Sequence, residues 1–285
     1  MRDDIHVVLD SIAISDETEL AHDPRCHVLK LSVRHGDVEW RDGEKSLEEM
    51  FAMVEKTGEL PKTSQPPIGE ILELFTSLVQ ENKKVIAIFL DGVLSGTVET
   101  ARLAARQVME AIPGSQIRVF DGLTCGCPLS GMAIAALQKA DTGASFEEVA
   151  EYTQDVIRRT QTYFTVNTLE YLQKGGRIGA VGALLGNILG IRPIIHTDEG
   201  GKLVVADKAR TRKKVLNRML DLISAHAPLE AIFVAHAVAP EDAEYLRSAM
   251  AERFPNVPII KTSIGTVLAA HLGPGVIGVF GRTKA

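Results

Sequence analysis

Small hydroxyls and an imidazole recur at turns beside apolar runs in this chain. Thr63-Ser64-Gln65-Pro66, Leu94-Ser95-Gly96-Thr97 and His271-Leu272-Gly273-Pro274-Gly275 are the three places. None of them carries the carboxylates or metal ligands that most hydrolytic sites need. Their shared chemistry is the holding of an anion by uncharged hydrogen-bond donors next to apolar surface.

Each motif also has a plainer reading. Ser95 stands where a strand turns into a helix, so its hydroxyl can donate to a carboxylate oxygen or cap the helix. Free N–H groups at a helix start attract anions, and Gly96 lets a ligand approach the backbone, with Thr97 opening the helix. Thr63 and Ser64 precede a turn stiffened by Pro66 and Pro67, and either reach a ligand or start the next helix. His271 can bond a carboxylate, act as a base or be tied to backbone in its turn. His196 and His236, which end predicted strands, are weaker candidates.

Gly175-Gly176-Arg177-Ile178-Gly179 lacks the Lys-Ser or Lys-Thr ending of a phosphate loop. It reads as a turn between helices, in which Arg177 suits a phosphate or a partner protein. Cys125-Gly126-Cys127 is too tightly spaced for a zinc pair and has no second pair to complete a site. Ser95 is not in Gly-x-Ser-x-Gly, because Val93 stands at the first glycine position. A serine-type acyl hydrolase using Ser95 and His271, with Asp10 or Asp121 as third member, is the alternative reading, and no spacing favours it.

Strands and helices alternate around these motifs. Ile5 to Leu9, Val28 to Val33, Val85 to Leu90 and Ile117 to Phe120 read as strands, and the continuous apolar run at Val85 predicts burial on both faces. Ser46 with Glu49 forms a capping box for a helix through Lys56. The spacing of Ile71, Leu72, Phe75, Leu78 and Val79 predicts a helix over 68–80. Further helices are expected over 97–111, 128–139 and 145–159. This rhythm argues for a parallel sheet covered on both faces, with ligands beyond the carboxyl ends of the strands, where the Ser95 loop and Asp10-Ser11 fall. Past about residue 160 the texture changes. A hairpin around Asp198-Glu199-Gly200-Gly201, a helix over 208–225, a strand over 231–235, a helix over 240–254, a strand near 259 and a final strand over 276–280 are expected. The boundary near residue 160 predicts two domains, 1–160 carrying the Thr63 and Ser95 loops and 161–285 carrying the Gly175-Gly176 and His271 loops.

The 285 residues are 45% hydrophobic and 24% charged, the profile of a globular protein with a sizeable core. A net charge of −6 argues against nucleic acid, which needs clustered cations. The one basic run, Arg210-Thr211-Arg212-Lys213-Lys214, reads as a solvated helix start. Three cysteines make no disulfide framework. The apolar stretch after Met1-Arg2-Asp3-Asp4 is too short for a signal peptide, and no run reaches the roughly 18 residues of a membrane span. The cytoplasm is the expected compartment.

Taken together, the ordered motifs resemble the DegV family, whose members include the fatty-acid-binding subunits of bacterial fatty acid kinase. The resemblance spans the chain. It rests on Asp10-Ser11, Trp40-Arg41-Asp42-Gly43, Thr63-Ser64-Gln65-Pro66, Leu94-Ser95-Gly96-Thr97 and the stretch from Leu169 to Gly179. Ile191-Arg192-Pro193-Ile194, Lys208-Ala209-Arg210-Thr211 and the His271 segment complete it. Ile12 and Ile14 depart from the polar pair usual after the first motif, and 125–131 departs from the usual Ser-Met-Gly-rich run.

The resemblance implies an α/β protein of two domains. One is a three-layer α/β/α parallel-sheet domain, and the other a two-layer α/β domain with a mixed sheet. It implies a buried long-chain fatty acid whose carboxylate is held by Thr63, Ser95 and His271, with Ser64, Gly96 and Thr97 as supporting loop positions. A separate kinase subunit related to dihydroxyacetone kinases would turn that carboxylate into an acyl phosphate. This chain would then be a carrier and not the catalyst, needing no cofactor or metal, with Arg177 and Arg210 facing the phosphate or the partner. Burying a chain of about 16 carbons removes roughly 14 methylenes from water, worth about 11 kcal/mol gross at about 0.8 each. Ordering the ligand offsets much of this. Aromatic residues are only 5% of the chain, so aliphatic side chains are expected around the tail.

Overall fold

The computed structural model describes residues 3–13, 19–184 and 190–285; Ile14, one of the two departures noted above, lies outside them. The chain divides into two compact units, one of residues 1–32 and 64–158 and the other of 33–63 and 159–285. Residues 33–63 therefore group with the second unit, whereas the sequence reading kept them with the first 160 residues.

The chain opens with β1 (Ile5–Asp10) and β2 (Cys26–Leu29), then leaves for β3 (Ser32–His35), β4 (Val38–Arg41), α1 (Leu47–Thr57) and β5 (Lys62–Ser64). It returns with α2 (Ile68–Gln80), β6 (Lys84–Phe89), α3 (Thr97–Ala111), β7 (Ile117–Asp121), α4 (Pro128–Asp141) and α5 (Phe146–Arg158). β2, β1, β6 and β7 form one parallel sheet in that order. Side chains alternate along a strand, so one set of faces (Val8, Val85, Ala87, Phe89) is sealed by Phe75 and Leu78 of α2 and Val98, Ala101 and Ala105 of α3. α4 covers the other face against β1 and β6, and α5 packs on α4. All six residues of β1 are consequently buried, as a run without alternation requires. These are the three layers expected.

The second unit continues with β8 (Thr160–Thr165), α6 (Glu170–Lys174), β9 (Arg192–Thr197), β10 (Leu203–Ala209), α7 (Arg212–Ser224), β11 (Leu229–His236), α8 (Pro240–Arg253), β12 (Ile259–Ser263), α9 (Thr266–Leu272) and β13 (Ile277–Thr283). Its sheet runs β10-β9-β8-β13-β11-β12. Only β11 and β12 pair in parallel, so the sheet is mixed. Val215, Leu216, Met219 and Ile223 of α7 and Leu246 and Met250 of α8 pack on Tyr163, Ile194, Ile232, Val234 and Val279. β3, β4 and β5 form a small separate sheet.

Several expectations shift. The apolar stretch read as one strand over 28–33 is two strands in different sheets, because β2 pairs with β1 while β3 joins β4 and β5. The helix expected from Lys208 starts at Arg212. Lys208 and Ala209 are still in β10, and Thr211, in extended conformation, caps α7 by accepting the Lys214 N–H. Arg210 thus sits between strand and helix. His271 lies not on a loop but in the last turn of α9.

Candidate functional site

In the first unit the Ser95 loop follows β6. Asp91 begins it, accepting the Val93 N–H at 2.7 Å on Oδ1, while its carbonyl receives the Ser95 N–H at 3.1 Å. This fixes a tight turn before α3. The Ser95 hydroxyl lies 2.9 Å from Thr97 Oγ1 and accepts the Thr97 N–H at 3.3 Å. Ser95 therefore orders the turn that leads into α3, whose cap position is Gly96 with no side-chain cap, so Ser95 is not the helix cap that its plainer reading expected. Asp121 braces the loop from β7, accepting the Gly92 N–H at 3.1 Å.

The Thr63 and Ser95 motifs meet through a residue that sequence reasoning passed over. Gln65 donates from Nε2 to Thr100 Oγ1 at 2.6 Å, and its Oε1 lies 2.5 Å from where a β-carbon on Gly96 would stand. Gly96 is needed for that close approach. Ser64 is exposed at the end of β5, so neither it nor Thr63 starts α2, which begins at Ile68.

In the second unit Thr63 and His271 come together. Thr63 Oγ1 and His271 Nε2 are 2.7 Å apart. The other ring nitrogen, Nδ1, is buried with no hydrogen-bond partner. It lies 2.6 Å from where a β-carbon on Gly175 would stand, and the Tyr171 carbonyl oxygen is 2.8 Å from the same point. Gly175 is therefore present for space. Burial, helped by the nearby Arg177 charge, lowers the His271 pKa to about 4. A histidine in a helix's last turn would ordinarily gain from protonation. Desolvation wins here, and the imidazole is neutral at pH 7.

α9, which carries His271, is seated by the β4 turn. The buried Asp42 carboxylate accepts from the Thr266 hydroxyl at 3.1 Å and from the Val267 N–H at 3.3 Å, and Trp40 Nε1 donates to Thr266 Oγ1 at 3.2 Å. Trp40 and Asp42 are thus the support of the His271 helix, a role that their sequence spacing does not reveal.

Arg177 is exposed, and its Nη1 donates to the Gly175 carbonyl at 2.7 Å. Arg210 lines a hollow of about 470 Å3 with Lys208, Lys214 and Arg218, the last paired with Asp207 at 2.7 Å. The two arginines occupy different surroundings.

For a hydrolase, an orienting carboxylate would be needed on His271 Nδ1. Asp10 instead accepts the Leu90 N–H at 2.7 Å, and Asp121 accepts from Gly92 and Leu123. Burial pushes the Cys125 thiol up to about 12 and raises Cys127 as well, so neither is a thiolate at neutral pH. Among the described residues no group of three or more His, Cys, Asp or Glu could hold a metal ion. No helix among them is long and apolar enough to cross a membrane.

Similarity to known proteins is extensive. The model of the DegV family, described as an uncharacterised protein family, matches residues 4–284. Protein DegV of Bacillus subtilis is 32% identical over 283 residues, 96% of this chain and 98% of the relative. The crystal structure of a fatty acid binding DegV family protein from Streptococcus agalactiae is similar with a TM-score of 0.90 and 28% identity, covering 99% of this chain and all of the other (100%). A DegV family protein from Ruminococcus gnavus, solved with vaccenic acid, is similar with a TM-score of 0.87 and 25% identity over 97% of this chain and 99% of the other.

Proposed function

This chain belongs to the DegV family, and from that premise we propose that it binds a long-chain fatty acid with its tail in an apolar interior. Thr63, Ser95 and His271 hold the carboxylate. A separate kinase subunit, related to dihydroxyacetone kinases, converts that carboxylate to an acyl phosphate, and this chain is the carrier.

One observation carries the reading: the neutral His271 imidazole, 2.7 Å from the Thr63 hydroxyl, with its second nitrogen buried and unpartnered. A carboxylate held by a lysine or arginine is stabilised as an ion pair and loses nucleophilicity. Uncharged donors satisfy the buried charge and leave it able to attack a phosphoryl group. The Streptococcus agalactiae and Ruminococcus gnavus neighbours support the ligand class. The exposed Arg177 beside the His271 helix and the cationic hollow at Arg210 support contact with a phosphate or an acidic partner surface.

Purified protein extracted with organic solvent should release a stoichiometric long-chain fatty acid in the mass spectrum; its absence would refute the reading. Ser95→Ala and Thr63→Val should each weaken fatty-acid affinity roughly 10-fold or more, from about 1.5–3 kcal/mol per hydrogen bond to a charged group. Arg210→Glu should leave loading intact and reduce acyl-phosphate formation by added kinase. Ester hydrolysis by the chain alone, lost in Ser95→Ala, would replace the carrier assignment with the hydrolase.

A further inference from the structure

His271 stands in the last turn of α9, and the chain leaves it through Gly273, Pro274 and Gly275. A helix of seven residues does not hold its own last turn, so that turn takes its position from what grips the chain on either side. Asp42 and Trp40 grip the start of α9 through Thr266. The segment after His271 is gripped separately, residue by residue.

Gly273 passes so close to the Tyr171 ring that a β-carbon there would stand 2.6 Å from it. Pro274 offers its carbonyl to Asn167 Nδ2 at 3.2 Å. Gly275 offers its carbonyl to Arg212 Nη2 at 2.7 Å, and its own N–H donates to the Ala237 carbonyl at 2.7 Å.

The two side chains that take these carbonyls are themselves fixed. Arg212 opens α7, and its Nε donates to Asp242 Oδ2 of α8 at 2.7 Å. Arg212 and Asp242 are only 22% and 30% exposed, so water competes little with this arm. Asn167 follows β8 and accepts Arg192 Nη1 on its Oδ1 at 3.0 Å. A guanidinium only donates, so Arg192 sets which end of the Asn167 amide is the oxygen and turns the nitrogen to Pro274. A β-carbon on Gly275 would stand 1.8 Å from that nitrogen, so glycine is required for the amide to reach the turn.

Two arms therefore meet on one turn. The arm from Asp242 through Arg212 to Gly275 is charged, and the arm from Arg192 through Asn167 to Pro274 ends in a neutral bond. An ionised donor makes the stronger hydrogen bond, by roughly twofold, so the Arg212 arm dominates. The basic run at Arg212 is thus not simply a solvated helix start, and Arg192 of Ile191-Arg192-Pro193-Ile194 acquires a task.

We propose, resting on the carboxylate reading given above, that Arg212 and Asn167 are positioning residues for the fatty-acid carboxylate: they fix the turn over 273–275 and through it hold His271 in reach of Thr63.

The test is a set of full-length variants, each read twice: by the His271 imidazole resonances without lipid, and by palmitate affinity. Arg212→Lys replaces the planar fork by a single ammonium that does not span Asp242 and Gly275. It should displace the His271 resonances, raise their midpoint as water reaches the ring, and weaken palmitate binding about tenfold. Asn167→Ala, at an exposed position, should do the same with a loss of about threefold. Arg253→Gln is the control. It breaks the Arg253–Asp221 pair, 3.1 Å, which joins α8 to α7 near their other ends, and it should move neither reading. If Arg212→Lys does not fold, Asp242→Asn takes its place, with a smaller change of the same sign because an acceptor for the guanidinium remains. Unaltered His271 resonances in the Arg212 or Asp242 variant and in Asn167→Ala overturn the proposal, and so does an equal displacement in Arg253→Gln. A parent chain that binds no palmitate removes the carboxylate reading instead, and the lipid-free resonances alone then decide whether this turn positions His271.

Discussion

His271 offers a measurement in which the magnitude follows from the structure. The folded chain holds this imidazole at a pKa of about 4, first by burial and then by the Arg177 charge. An unfolded chain would titrate it near 6.5. Above about pH 6.5 both states are neutral at this residue, and its contribution to stability is fully present. As pH falls from about 6.5 towards 4, the unfolded state takes up a proton that the folded state refuses, so stability is lost through that window and levels off below it. A gap of about 2.5 pH units at about 1.4 kcal/mol each gives about 3.5 kcal/mol in full, of which about 3 kcal/mol is lost by pH 4. His6, His27, His226 and His236 are also lowered by burial and contribute with the same sign. A double difference removes them: urea unfolding of the parent chain and of His271→Asn, each at about pH 7 and about pH 4. The parent should lose about 3 kcal/mol more than the variant over this interval. Imidazole resonances give the direct reading, with a midpoint near 4. A midpoint at about 6 or higher, or equal pH losses in the two proteins, would refute the burial of a neutral ring. If the carboxylate of a fatty acid binds here, loading should move the midpoint upward, since a neighbouring anion favours the imidazolium.

Other substitutions test the supports of the same fold. Gly175→Ala places a methyl 2.6 Å from His271 Nδ1 and 2.8 Å from the Tyr171 carbonyl. It should cost about 1–3 kcal/mol in urea unfolding and disturb the His271 titration; unchanged values in both would mean the contact is slack. Ser46→Ala removes the acceptor of the Glu49 N–H and should lower stability by about 1 kcal/mol, read by thermal melting. Val238 is a β-branched residue with φ of 52° and is 52% exposed. Val238→Asn should stabilise the chain by about 1 kcal/mol, because asparagine tolerates the left-handed region and little apolar contact is lost; a lower melting temperature would contradict this.

Helices α2 and α3 were legible to their ends, because each carries its own 3.6-residue period and lies between breakers, Pro66-Pro67 before one and Gly96 before the other. The buried strand β6 announced itself as an unbroken apolar run from Val85, and β1 as a mostly apolar one that His6 interrupts. β8 did not. Thr160–Thr165 reads TQTYFT, and it is a strand because it pairs with β13 and β9, far along the chain. Nor could the stretch around Val28 and Val33 show that it divides between two sheets, since alternation says which way a side chain points and not which strand lies beside it.

The residue types of the candidate site and the alternation of α and β were thus written locally, in spacings a few residues long. Their assembly was not. A seven-residue helix such as α9 is marginal alone. It exists where Asp42 meets Thr266 across 224 residues of chain, and only there does His271 reach Thr63 across 208. The protonation state of His271 was equally out of reach, because it depends on how much water the packed chain excludes from the ring, and that is fixed only by the completed tertiary structure.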